Sequence, residues 1–158
     1  MALEDRLVSN LYKRGLTIST AESCTGGLIA GRIINAPGAS AVYNEGFITY
    51  SNAAKEKYLG VGHDTLEEYG AVSAETAFEM ALGCCERTGS DMAVISTGIA
   101  GPDGGTPEKP VGLVYIAVCS GSQVVVEECH FSGSRSEIRE ASVEAALNLV
   151  SKVMAEVR

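Results

Sequence analysis

The stretch Ser19–Ile34, STAESCTGGLIAGRII, constrains this chain more than any other. Leu16–Thr20 predicts a short strand, and Glu22-Ser23-Cys24-Thr25 a polar turn. Gly26 and Gly27 follow, and then Leu28, Ile29, Ile33 and Ile34 make an apolar helical run from about Gly26 to Ile34. Strand, turn with hydroxyls and thiol, glycines and helix form the local anatomy of a site at the carboxyl edge of an α/β sheet. Glycine lets a backbone come close to a ligand. The amides of a new helix turn offer hydrogen bonds to an anion or a developing oxyanion.

The remaining elements fit around that edge. Leu3, Leu7, Val8 and Leu11 share a helical face that Gly15 ends. Ala41–Tyr50 predicts a strand with a bulge at Gly46, after which Ser51 caps a short helix carrying Lys55. Asp64 and Glu67 have capping-box spacing. Ser73 opens a helix with a buried stripe of Ala77, Phe78, Ala81, Leu82 and Cys85, closed by Gly89. Asp91–Thr97 is continuously apolar over most of its length, like a strand covered on both faces. Val111–Ser120 and Gln123–Phe131 flank Gly121-Ser122 as an antiparallel hairpin. Ser134 and Glu137 box the start of a long last helix. The expected fold is therefore one three-layer α/β/α domain over residues 1–158, its mixed sheet ending in the hairpin. Gly98–Pro110 is the one long loop, and its four glycines and three prolines favour a binding element.

Composition narrows the partners. With 12 basic and 20 acidic side chains the net charge is −8, which argues against a general nucleic-acid surface or a polybasic membrane surface. No 18-residue uncharged apolar span occurs, and MALEDRLVSN lacks a signal-peptide core, so a cytoplasmic location is expected. The five cysteines (24, 84, 85, 119 and 129) form no C-x-x-C pair and have only His63 and His130 for company, which disfavours a structural zinc cluster.

Ser23 is the leading nucleophile because the glycines after it promise backbone donors for negative charge. Cys24 and Thr25 are its rivals; the thiol has no histidine in its segment to ionise it. A serine needs a base, and neither histidine sits at an obvious active-site edge. Lys55 is the alternative, since partial burial would lower its pKa. The loop from Thr97 through Gly98, Ala100, Gly101, Gly104 and Gly105 to Thr106 reads as a cradle for a small anionic or planar ligand, without the P-loop pattern. Arg135 and Arg139 lie at a helix start, where the dipole disfavours cations, so an external anion is a fitting partner.

Ala21-Glu-Ser-Cys-Thr-Gly-Gly27, Tyr50-Ser-Asn-Ala-Ala-Lys55, Gly70-Ala-Val-Ser73 with Glu75, Thr97-Gly-Ile-Ala-Gly-Pro-Asp-Gly-Gly105, Lys109-Pro-Val-Gly112 and Arg135-Ser-Glu-Ile-Arg139 run in order across the chain. Together they resemble the CinA C-terminal domain family, the nicotinamide mononucleotide deamidases or PncC-type amidohydrolases. The resemblance implies a standalone form without the molybdopterin-binding-like domain of longer CinA proteins. It also implies hydrolysis of the carboxamide of nicotinamide mononucleotide to nicotinate mononucleotide and ammonia, with no cofactor. Under it Ser23 is the nucleophile and Lys55 its base, while Tyr50 and Thr97 support substrate and dyad. Thr25, Gly26, Gly27, Asn52 and the glycine loop would bind substrate, and one of Arg135 and Arg139 would meet the phosphate. A non-catalytic nucleotide-binding module of the same fold is the alternative. A homo-oligomer, most simply a dimer, is expected from the wide apolar circumference of the last helix (Val143, Leu147, Leu149, Val150 and Met154).

Overall fold

The strands β1 (Ile18–Glu22), β2 (Tyr43–Ile48), β3 (Met92–Gly98), β4 (Leu113–Ser120) and β5 (Gln123–His130) form one sheet in the order β2-β1-β3-β4-β5. The structure is a computed structural model and describes residues 1–157. β1 runs parallel to both its neighbours, β2 and β3, whereas β4 is antiparallel to β3 and β5. Six helices cover the sheet: α1 (Leu3–Arg14), α2 (Leu28–Ile34), α3 (Asn52–Leu59), α4 (His63–Tyr69), α5 (Ala74–Thr88) and α6 (Arg135–Glu156).

Successive strand residues point to opposite faces, and here both faces are covered. Met92 and Val94 of β3, with Val114, Ile116 and Val118 of β4, join the core beneath α1, α2 and α6. Ala93 and Ile95, with Ala117 and Cys119, join the core beneath α5. This two-sided burial explains the unbroken apolar run of β3. The result is the mixed-sheet, three-layer α/β/α architecture expected from the sequence.

Several local expectations shift. β1 starts at Ile18, not Leu16, and continues to Glu22, because its parallel pairing with Met92–Ser96 persists that far. β2 is shorter than Ala41–Tyr50, and it does bulge: Ile18 opposes Tyr43 while Thr20 opposes Gly46. A Cβ at Gly46 would stand 2.3 Å from both Thr20 Oγ1 and Tyr43 Oη, so the bulge requires the glycine. The Asp64–Glu67 capping box does not form. The cap of α4 is Gly62, whose N–H donates to Glu79 Oε1 at 2.8 Å. On α5, Phe78 faces solvent, and the buried stripe runs through Ala77, Met80, Ala81 and Cys84. α3 crosses that helix so closely that a Cβ at Gly83 would lie 1.9 Å from Leu59 O. The capping box of Ser134 and Glu137 is present as expected. The apolar circumference of α6 is covered within the chain, since Val143, Leu147, Leu149, Val150 and Met154 are all buried against the sheet, α1 and α2. Those five side chains are therefore not free to meet a second copy, contrary to the expectation of an oligomer built on them.

From β1 the chain crosses to β2 on one side, and later returns to β3 on the other. The loops leaving the carboxyl ends of β1 and β3 diverge at this switch, which opens a crevice between them.

Candidate active site

Ser23 is the first residue past β1, and its N–H donates to Ser96 O on β3 at 3.1 Å. The turn that follows is held from inside by Glu22, a carboxylate that the sequence reading passed over. Glu22 is 1% exposed. Its Oε1 accepts from Ile29 N at 2.8 Å and from Thr25 Oγ1 at 2.5 Å, and its Oε2 accepts from Ala30 N at 3.0 Å. Leu28 N and Gly26 N are taken by Thr25 O and Ser23 O. The amides at the start of α2, expected to receive an anion, are thus already occupied, and α2 is only seven residues long. The signal in the sequence was an acid placed at the end of a buried strand, just before a helix that lacks a side-chain cap.

Ser51 caps α3 by accepting from Ala54 N at 3.1 Å, which places Lys55 one turn along, facing the crevice. Lys55 is 1% exposed. Its Nζ lies 3.1 Å from Ser23 Oγ, 2.8 Å from Thr49 O and 3.5 Å from Tyr50 O. Among the described residues no carboxylate pairs with it. Desolvation by the surrounding protein lowers its pKa to about 8, with the neighbouring Cys24 opposing weakly. An amine that sheds its proton near neutrality, in contact with a serine hydroxyl, can act as that hydroxyl's base. Burial pushes the Cys24 thiol the other way, up to about 11, so it stays protonated and a poor nucleophile. The histidines are elsewhere, with His63 beside Glu56 and His130 beside Glu128 on the surface.

These groups line a cavity of about 280 Å³ together with Tyr50, Thr97, Gly98, Ala100, Gly101, Gly104 and Arg135. Ala71, Val72, Ile99 and Asp103 complete the wall, and none of these four had been singled out from the sequence. Thr97 Oγ1 donates to Ala71 O at 2.7 Å, fixing the segment before α5 against the site. Among the described residues no backbone carbonyl takes the amides of Ala100, Gly101 or Gly104. The remaining expected residues lie outside the cavity. Thr25 is buried with its hydroxyl on Glu22 and Ser96, Gly26 and Gly27 shape the turn with positive φ, and Asn52 and Gly105 do not reach the wall.

The two arginines separate. Arg135 donates from Nη1 to Gly101 O at 2.8 Å and from Nη2 to Tyr50 Oη at 3.1 Å, lining the cavity with no carboxylate partner among the described residues. Arg139 donates to Cys24 O at 3.0 Å and to Thr25 O at 3.1 Å, bracing the turn from beneath.

Comparison with known proteins gives the family and the fold. The CinA C-terminal domain matches residues 1–154. A putative competence-damage inducible protein of Clostridium novyi is 54% identical over 147 residues, covering 93% of this chain and 36% of that protein. A CinA-like protein of Chloroherpeton thalassium is 54% identical over 158 residues, covering 98% and 38%. The chain thus spans a little over a third of the length of these curated relatives. The crystal structure of the competence/damage inducible protein CihA from Agrobacterium tumefaciens superposes with a TM-score of 0.93 at 47% identity, covering 95% of this chain and 92% of that one. A CinA superfamily protein from Klebsiella pneumoniae superposes with a TM-score of 0.94 at 32% identity, covering 98% and 96%. On sequence and fold alike, this chain belongs to the CinA C-terminal domain family.

Proposed function

We propose that this chain is an amidohydrolase that cleaves the carboxamide of nicotinamide mononucleotide through a Ser23–Lys55 dyad. The observation that carries the reading is the 3.1 Å contact between Ser23 Oγ and a buried lysine whose pKa is lowered to about 8. Family membership supports hydrolytic chemistry. In the proposed reaction neutral Lys55 takes the Ser23 proton, and the Ser23 oxygen attacks the carboxamide carbon. The tetrahedral oxyanion is received by amides that face the cavity without a protein acceptor among the described residues, those of Cys24 and of the Ala100–Gly104 loop, since Leu28, Ile29 and Ala30 of α2 are taken by Thr25 and Glu22. Protonated Lys55 then gives its proton to the departing ammonia, leaving a nicotinate ester on Ser23. A water, deprotonated by Lys55, attacks the ester and returns the serine. Arg135 meets the phosphate. The expected homodimer is kept as a proposal without the α6 stripe as support, and light scattering that gives a 16.4 kDa particle at micromolar protein ends it.

Ammonia release from the mononucleotide by purified, chelator-treated protein tests the reading. Ser23→Ala is expected to lose turnover by about a thousandfold or more, and Cys24→Ala less than tenfold. Activity that disappears in Cys24→Ala and survives in Ser23→Ala assigns the wrong atom. Activity restored only by added divalent metal refutes the dyad.

A further inference from the structure

The cavity carries two exposed charges of opposite sign that no ion pair neutralises. Among the described residues Arg135 donates to a carbonyl and a phenol and pairs with no carboxylate, and Asp103 forms no salt bridge or side-chain hydrogen bond. Both line the cavity, Asp103 from within the Gly101–Gly104 segment and Arg135 through its bond to Gly101 O, while Lys55 is buried. Such charges at the mouth of a small cleft are hydrated when it is empty, and both act on any ligand that enters. A ligand carrying only an anion would meet Asp103 as a repulsive neighbour of its binding arginine. A ligand carrying an anion and a cation satisfies both.

We propose that Asp103 determines specificity by recognising positive charge on the substrate's heterocycle, so that the site takes zwitterionic N-glycosylated pyridinium nucleotides and discriminates against their neutral, reduced-ring counterparts. This rests on the mononucleotide-amidase reading and extends it. In that substrate class the pyridinium nitrogen is cationic and the phosphate anionic, and the carboxamide sits on the cationic ring. With the carboxamide at Ser23 and the phosphate toward Arg135, the ring charge lies in the span that Asp103 borders. The chain as a whole, at −8, attracts cations without discrimination, so selectivity for a ring charge needs a local carboxylate. Asp103 is positioned to select and takes no part in the proton transfers, which belong to Lys55.

The test compares nicotinamide mononucleotide with dihydronicotinamide mononucleotide. The neutral dihydro ring also releases electrons into its carboxamide and slows attack by any catalyst. The informative quantity is therefore the ratio of dissociation constants for the two ligands, measured by calorimetry in the Ser23→Ala background with and without Asp103→Asn. Removing one charge contact at the partly solvated mouth is expected to shrink the preference for the cationic ligand about tenfold. Asp103→Lys is expected to invert it. Because residue 103 sits exposed on a loop, thermal unfolding should be unchanged in both variants. A ratio that does not move while wild type releases ammonia overturns the role of Asp103 and leaves the amidase reading standing. Equal tightening of both ligands by Asp103→Asn also overturns it, since the carboxylate would then only screen Arg135. Wild type that releases no ammonia and binds neither ligand overturns both readings together.

Discussion

Lys55 is a residue whose burial works against stability and for chemistry. Its pKa of about 8 lies below the ordinary 10.5, so between these values the unfolded chain holds more protons than the folded one. Stability contributed by this site therefore rises with pH across that window and is flat below about 8, where both states are protonated. Lys55→Met is expected to be more stable than wild type at pH 7, by about 3 kcal/mol at most, and so to unfold at a higher temperature, with the gap closing toward pH 10. The same variant should be inactive. In wild type, kcat/KM should climb about tenfold per pH unit below about 8 and level off above it, as the base form accumulates. Lys55→Arg should be inert throughout, because a guanidinium keeps its proton. A flat profile from pH 6 to 9 would remove Lys55 from the role of base. The sequence made Lys55 legible through the cap at Ser51, which fixes its turn on α3. The depth of its burial was not legible, because that depends on Thr49 O and Tyr50 O folding back over the amine.

At the scale of elements, the turn after β1 is clamped from two sides, by Glu22 above and Arg139 beneath. Glutamine in place of Glu22 keeps the shape but turns one acceptor oxygen into a donor that faces an amide N–H. Glu22→Gln is therefore expected to cost about 2–3 kcal/mol of stability and to lower kcat more than it raises KM, since it displaces the attacking oxygen. Arg139→Ala should behave alike. Arg135→Ala should instead raise KM for the mononucleotide, with about 2–3 kcal/mol lost in kcat/KM, while use of the dephosphorylated riboside and the unfolding temperature hardly move. If Arg135→Ala and Arg139→Ala fail in the same way, the division between mouth and frame is wrong. Sequence alone left this pair open because both side chains leave the first turns of one helix; only the contacts across 114 and 115 residues to Thr25 and Cys24 separate them. Short-range chemistry was easier to read. The caps at Ser51, Ser73 and Ser134, the glycine stops and the hairpin all depend on neighbours within a few residues.

The whole molecule follows from a pattern the sequence displays well, in which β3 is apolar on both faces and the terminal hairpin is antiparallel. What the pattern does not contain is strand order. The interior place of β1, between partners that come from later in the chain, is a long-range outcome, as is the burial of the α6 circumference that was expected to seek a partner. Where β1 lies has a kinetic consequence. The Ser23 amide is tied to Ser96 O, in the middle of the sheet, whereas the amides of Ala100, Gly101 and Gly104 have no backbone partner. Exchange of the Ser23 amide with solvent deuterium thus requires β1 and β3 to part, an opening close to global unfolding. The loop amides across the crevice need no such parting to exchange, and they slow when a ligand takes them. One side of the cleft reports on the integrity of the whole domain, and the other on occupancy alone, so a single deuterium time course separates a variant that has lost its fold from one that has lost its ligand.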